Sequence, residues 1–279
     1  MCRRIAPTLL IVCSCALLLL SCDNDVRHKR NLVCLIDYSA SMNDEIIQGY
    51  MHVMEDNVLA NIGEHDRLVV LPVDGASKTR ASKIYYLDMQ EHDFARAGDG
   101  FAHARDSVVA RIRQYMHTVS LEIMAEIRRQ RVARKQFANY SDLFSALHQA
   151  GSYVRHDTGS PSQTYTSSFL RSNTTFVAEN VVIIFSDMKH ESAEFTFATG
   201  HGCPPDRVEP ILDALQKRNG IPDLSGCTVF VYGRTGKSNE EVENIQHFWE
   251  EYFREAHAFL AAYDYETDNV ISAFMMMPH

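Results

Sequence analysis

Residues 32–36, Leu-Val-Cys-Leu-Ile, form an unbroken apolar run between Asn31 and Asp37. A short run without polar alternation predicts a strand covered on both faces. Residues 67–73, 181–185, 228–232 and 259–265 read as strands on the same grounds. After the turn signal Asp74-Gly75, residues 84–89 predict a further strand returning antiparallel at the sheet edge. Elsewhere the apolar positions recur every three or four residues, the helical period. Ile47, Met51, Met54 and Leu59 mark a helix over 44–62, and Val108, Ile112, Met116, Val119, Ile123 and Ile127 mark one over 103–135. Leu143, Leu147, Ala150 and Val154 mark the next, residues 207–218 another, and Val242, Ile245, Trp249, Tyr252 and Phe253 one over 240–258. The lone Trp249 belongs to the core on this pattern. The Ser/Thr-rich stretch 156–175 and residues 194–205 carry neither period and read as loops. Strands alternating with helices predict an α/β fold: a doubly wound, mostly parallel central sheet with helices on both faces, Rossmann-like, in one domain. Residues 91–137 read as a long helical insertion within it.

The amino terminus falls outside this pattern. Arg3 and Arg4 precede an apolar stretch, 9–20, too short for a comfortable membrane span. It ends Leu19-Leu20-Ser21-Cys22, which resembles the lipobox of bacterial lipoproteins. The resemblance implies a signal peptide 1–21, lipidation of Cys22, and a membrane-anchored protein facing the periplasm. Asp23 resembles the retention signal of inner-membrane lipoproteins, with the outer membrane as the alternative. Residues 22–30 then read as the lipidated Cys and a polar tether, and 31–279 as the domain. Of the seven cysteines, Cys34, Cys203 and Cys227 remain in the domain. Cys34 reads as a core residue, and Cys203 with Cys227 as a possible disulfide in an oxidising compartment.

The chain has 279 residues, 46% hydrophobic and 23% charged, enough for a full-sized core. A net charge of −9 argues against nucleic acid as a partner. The cationic run Arg128, Arg129, Arg131, Arg134 and Lys135 fits the carboxyl end of a helix, where it complements the macrodipole. The alternative is a docking patch for an acidic partner or lipid headgroups.

The candidate chemistry sits at strand ends. Asp37, Ser39 and Ser41 follow the first strand at alternate positions, and Asp187 ends the strand 181–185. Ligands of open α/β sheets bind beyond the carboxyl ends of the strands. A carboxylate and two hydroxyls there are hard donors of the kind Mg²⁺ prefers. Purely structural roles are also open: Ser41-x-x-Asp44 fits a capping box, Asp37 fits a turn acceptor, and Ser141 stands where a helix N-cap belongs.

Together, Asp37-Tyr38-Ser39-Ala40-Ser41, then Ser141 in Ser-Asp-Leu-Phe-Ser-Ala-Leu, then Asp187 closing Val-Val-Ile-Ile-Phe-Ser-Asp, resemble the von Willebrand factor type A (VWA) family and its metal-ion-dependent adhesion site. The resemblance covers residues 31–265. It implies Mg²⁺ or Mn²⁺ at Asp37, Ser39, Ser41, Ser141 and Asp187, and a protein partner whose Asp or Glu carboxylate completes the shell. It implies binding, not catalysis. Three positions depart from the family: Ser141 stands for the usual Thr, Asp187-Met188 for the common Asp-Gly, and little chain follows Tyr265 to build the long C-terminal helix. A metal-free scaffold of the same fold is the alternative. A haloacid-dehalogenase-type phosphatase would need a second Asp where Ser39 stands. His190, Glu191 and His201 follow no established zinc spacing.

Overall fold

The central strand, β1 (Asp25–Asp37), pairs in parallel with β2 (Arg67–Val73) on one side and β5 (Asn173–Phe185) on the other. The computed structural model describes residues 25–77, 83–91, 104–157, 163–166, 173–197, 200–233, 236 and 238–277. The remaining strands are β3 (Tyr85–Asp88), β4 (Gln163–Thr166), β6 (Cys227–Tyr232) and β7 (Phe259–Asp264). The sheet runs β3-β2-β1-β5-β6-β7, with β4 beside the start of β5. All neighbours along that path are parallel except β2 and β3. Asp37 stands level with Val73, Ile36 with Phe185, and Phe185 with Tyr232, so the carboxyl ends of the strands form one edge.

The helices are α1 (Asp44–Val53), α2 (Ala104–Ala133), α3 (Leu143–Asp157), α4 (Pro205–Gln216), α5 (Asn239–Glu255) and α6 (Thr267–Met275). Side chains of a strand alternate between faces, and β1 divides its residues accordingly. Val33 and Leu35 pack with α3, α4 and α5, whereas Leu32, Cys34 and Ile36 pack with α1, α2 and α6. The fold is therefore a Rossmann-like, doubly wound α/β sandwich, as the alternating pattern predicts. Cys34 and Trp249 are both core residues.

Four sequence expectations change. The helix predicted over 44–62 is α1 followed by a π turn, Met54–Val58, and a 3₁₀ turn, Leu59–Asn61. The tether expected over 22–30 is, from Asp25 onward, part of β1, paired from Asp25↔Thr174 to Arg30↔Glu179. The loop expected over 156–175 supplies the end of α3, β4 and the start of β5. The starts of β1 and β5 become strands by pairing with each other across the chain, and β4 by pairing antiparallel with the nearby start of β5, neither of which a local apolar period reveals. Cys22, Asp23 and the signal segment 1–21 lie outside the described residues. Cys203 and Cys227 are not bridged: each is a free, buried thiol in the core beside α4 and α5. Burial pushes Cys203 up to about 11 and Cys227 up to about 12.

The edge opposite the strand carboxyl ends is closed by a buried ion pair. Arg30 Nη2 lies 2.6 Å from Asp66 Oδ2 and donates to the Asn61 carbonyl at 2.7 Å. Its Nη1 donates to the Met275 carbonyl at 2.7 Å, capping the end of α6. α6 is short, and sliding it would take one acceptor from a buried guanidinium that also bonds Asp66 and Asn61. No helix among the described residues is long and apolar enough to cross a membrane.

Candidate functional site

Asp37 ends β1 fully buried. The chain then turns outward. Tyr38 N–H donates to Val73 O at 3.0 Å, Ala40 N–H to Ala138 O at 2.7 Å, and Met42 N–H to Ser39 O at 3.0 Å. Ser41 does not cap α1: the Asn43 side chain does so, accepting from Ile46 N–H at 2.9 Å. Ser39 Oγ and Ser41 Oγ lie 3.0 Å apart, the first buried and the second exposed. Asp37 Oδ1 accepts the Ser39 amide at 2.8 Å.

The same division of labour recurs at α3. Asp142 caps that helix, accepting from Ser145 N–H at 3.2 Å and from Ser145 Oγ–H at 2.6 Å. Ser141 is thereby released from capping, and its hydroxyl donates to Asp37 Oδ2 at 2.9 Å. Its backbone is fixed by a two-way bridge with Glu191, each N–H donating to the other carbonyl at 3.0 Å. That bridge stitches the segment after β5 to the segment before α3.

β5 delivers two site residues. Ser186 Oγ–H donates to Asp37 Oδ2 at 2.7 Å and accepts the Met188 amide at 2.9 Å. Asp187 is buried, and its Oδ1 accepts the Lys189 amide at 3.1 Å. Met188 has φ +60°, the left-handed region that glycine occupies without steric cost. That conformation is a physical reason for glycine after the Asp in Asp-Gly sequences. Here burial of the Met188 side chain and the Trp249 indole N–H, 2.8 Å from Met188 O, hold methionine in it. The loop is further tied to α5 by Lys189 Nζ, 3.2 Å from buried Glu241.

Asp37, Ser39, Ser41 and Ser141 are thus joined by hydrogen bonds at the carboxyl edge of the sheet. Asp187 faces the same point electrostatically. Burial raises the Asp37 pKa, and the Asp187 carboxylate raises it further, to about 6. Hydrogen bonds from Ser186 and Ser39 pull in the opposite direction. Two buried carboxylates opposing each other beside converging hydroxyls suit a cation. The Ser39 and Ser41 oxygens, hydrogen-bonded at 3.0 Å, bring two hard donors of the kind Mg²⁺ prefers to one point. Ser141 spends its proton on Asp37, which leaves its lone pairs to face an ion. Among the described residues no cluster of three or more His, Cys, Asp and Glu side chains is placed to hold a metal ion, here or elsewhere; the donors at this site are two carboxylates and serine hydroxyls.

His190 and its neighbours do not join the donors. His190 is buried, stacked on Phe144 at 3.9 Å and bonded through Nε2 to Ser192 Oγ at 3.0 Å. Burial, with the positive charge of Arg218 adding to it, pushes its pKa down to about 3, so the ring is neutral. His201 and Glu191 are exposed. Beside Ser141 opens a cavity of about 610 Å³, bordered by Tyr140, Asp142, Phe144, Ser192, Glu194 and Arg218.

The site residue that sequence reasoning passes over is Ser186. Its signal was present, a hydroxyl directly before Asp187 at the end of an apolar run. The two positions occupy successive places on the strand end, and both bear on Asp37.

No family model matches the chain, and no curated protein matches it. Among solved structures it is similar to the N-terminal domain of TFIIH p34, at 12% identity and a TM-score of 0.39 over 91% of this chain and 98% of that one. It is also similar to proximal thread matrix protein 1 from the mussel byssus, at 12% identity and a TM-score of 0.37 over 90% of this chain and 47% of that one. A second structure of the mussel protein gives 14% identity and a TM-score of 0.34, over 90% and 45%.

Proposed function

We propose that this chain is a VWA-type binding protein that holds Mg²⁺ or Mn²⁺ and engages the carboxylate of a protein partner. The observation that carries the reading is the meeting of Asp37, Ser39, Ser41 and Ser141, with Asp187 beside them, at the carboxyl edge of the sheet. Ser39, Ser41 and Ser141 would offer hydroxyl oxygens, and Asp37 and Asp187 would balance the charge directly or through water. A divalent ion held there would supply an electrophilic centre for a carboxylate. The side chains themselves do the rest: Ser186 and Ser141 orient Asp37, and exposed Ser41 marks the solvent side from which a partner approaches. The cavity beside Ser141 would seat a residue next to the partner's acidic one. Binding rather than catalysis is the proposed role, in keeping with the resemblance to the VWA family. The proposed location is the cell envelope, lipid-anchored through Cys22 and facing the periplasm, with Asp23 favouring the inner membrane.

A second reading rests on a specific feature. Asp37 Oδ2 already accepts from Ser141 and Ser186. A carboxylate so satisfied suits a metal-free interaction module of the same shape. Peptide-display selection against the protein in Mg²⁺ separates the two. Enriched peptides are expected to share an Asp or Glu, and their binding to disappear with EDTA or with Asp37→Ala. Enrichment that survives both treatments would support the metal-free module instead.

A further inference from the structure

The long helix α2 ends against the site. Its Arg131 Nη2 donates to Met42 O at 3.0 Å, Nη1 donates to Asn43 O at 3.4 Å, and the guanidinium pairs with exposed Asp44 at 2.7 Å. One turn earlier, Ile127 O accepts from Tyr38 Oη–H at 3.3 Å. One residue beyond α2, Arg134 Nε lies 2.5 Å from Asp74 Oδ2, with both side chains buried. The turn that follows offers its carbonyls to two loops: Phe137 O accepts from Gly75 N–H at 3.0 Å and Ala138 O from Ala40 N–H at 2.7 Å.

Ala40 stands between Ser39 and Ser41. Its amide is held by the segment after α2, and Met42 and Asn43, just beyond Ser41, are held by α2 itself. The bonds within the loop, Ser39 N–H to Asp37 Oδ1 at 2.8 Å and Met42 N–H to Ser39 O at 3.0 Å, are thus supplemented from outside it, and the 3.0 Å spacing of the two serine oxygens depends in part on α2. The chain also runs on from Ala138 through two residues to Ser141, the third hydroxyl donor. One structural unit thus fixes the first motif through hydrogen bonds and the second through covalent continuity. Neither the macrodipole nor a surface patch describes these cations fully: Arg131 and Arg134 bond the loops of the site.

We infer that α2 is a lever on the metal site and that Arg131 is a positioning residue for the Ser39 and Ser41 donors. The inference rests on the metal-binding reading above. Displacing the end of α2 lengthens or rotates the hydroxyl pair and lowers affinity for the ion. Arg131 is the suitable probe because its charged partner, Asp44, is exposed, so its loss strands no buried carboxylate.

The test uses the full chain purified in detergent, titrated with Mn²⁺ and followed by calorimetry and by the electron paramagnetic resonance of the bound ion. Arg131→Ala is expected to weaken Mn²⁺ binding roughly threefold to tenfold, the scale of one or two lost hydrogen bonds. At saturation its resonance is expected to broaden, reporting a less regular shell, a change that loss of global stability alone would not produce. Arg131→Lys is expected to fall between the two, and it replaces the alanine variant if that one folds poorly. Arg129→Ala removes a guanidinium that bonds Glu126 of the same helix, and is expected to bind Mn²⁺ as the wild type does. Wild-type uptake with unchanged affinity and line shape in both Arg131 variants overturns the lever. Absence of uptake in the wild type overturns the metal-binding reading itself, and the lever with it.

Discussion

Methionine in place of Arg134 is expected to destabilise the fold by about 3–5 kcal/mol, the scale of a buried ion pair that loses one partner. Arg134 and Asp74 are both buried and meet through two contacts, Nε to Oδ2 at 2.5 Å and Nη2 to Oδ1 at 3.1 Å. Methionine fills similar space but removes the Arg134 charge from the buried Asp74 carboxylate, which keeps the Ala76 amide as a donor at 2.8 Å. An ion out of water without a countercharge loses far more than the net strength of the original pair. Adding Asp74→Asn is expected to recover most of the loss, because the amide keeps an acceptor for Ala76 and carries no charge. Urea denaturation of the single and double variants measures both. Equal instability of the two would show that shape rather than charge is what Arg134 supplies.

Alanine at Gly233 is the second large change. Gly233 follows β6 with φ +132°, a conformation that L side chains rarely adopt. A Cβ there would lie 2.4 Å from Ser186 O and 2.7 Å from Tyr50 Oη. Backbone strain and overpacking together are expected to cost about 2–5 kcal/mol. The displaced backbone belongs to Ser186, whose hydroxyl reaches Asp37 at 2.7 Å. Gly233→Ala is therefore expected to impair the site as well as the fold, lowering the melting temperature and the Mn²⁺ affinity together. A variant that melts like the wild type would show that the close approach relaxes without cost.

The core strands were legible because burial writes itself into the sequence as apolar runs. Leu32 to Ile36 and Val181 to Phe185 needed no partner to be recognised. Asp25 to Arg30 was not legible for the opposite reason: it is a strand by virtue of β5, far along the chain. The serines were legible as donors, but not their freedom from capping. That freedom depends on Asn43 and Asp142 doing the capping, a competition between neighbours that side-chain geometry decides. Ser186 was visible beside Asp187 but has no period of its own to mark it. The roles of Arg131 and Arg134 were hidden among five cations that local rules treat alike. Only packing distinguishes Arg129, which bonds its own helix, from Arg134, which holds the turn at Asp74. The free thiols of Cys203 and Cys227 show the same limit, since pairing depends on spatial approach rather than on count.

The position of the site also bears on any anchor at Cys22. β1 enters the sheet from its amino end, and the donors lie at its carboxyl end. Five buried residues at about 3.3 Å each separate those edges, and the paired segment 25–30 adds to the distance. With the anchor proposed at Cys22, the site is expected to face away from the lipid.

The most direct measurement is metal titration of the wild type against Asp37→Asn. Asparagine keeps the size of Asp37, and its oxygen can still accept from Ser141 and Ser186 while its NH2 group gives up the bond from the Ser39 amide, so the fold is expected to persist while the negative charge is lost. Wild-type protein is expected to take up a single Mn²⁺ or Mg²⁺ ion per chain, and Asp37→Asn to take up none over the same range. Equal uptake by both proteins, or no uptake by either, would contradict a metal centre at Asp37.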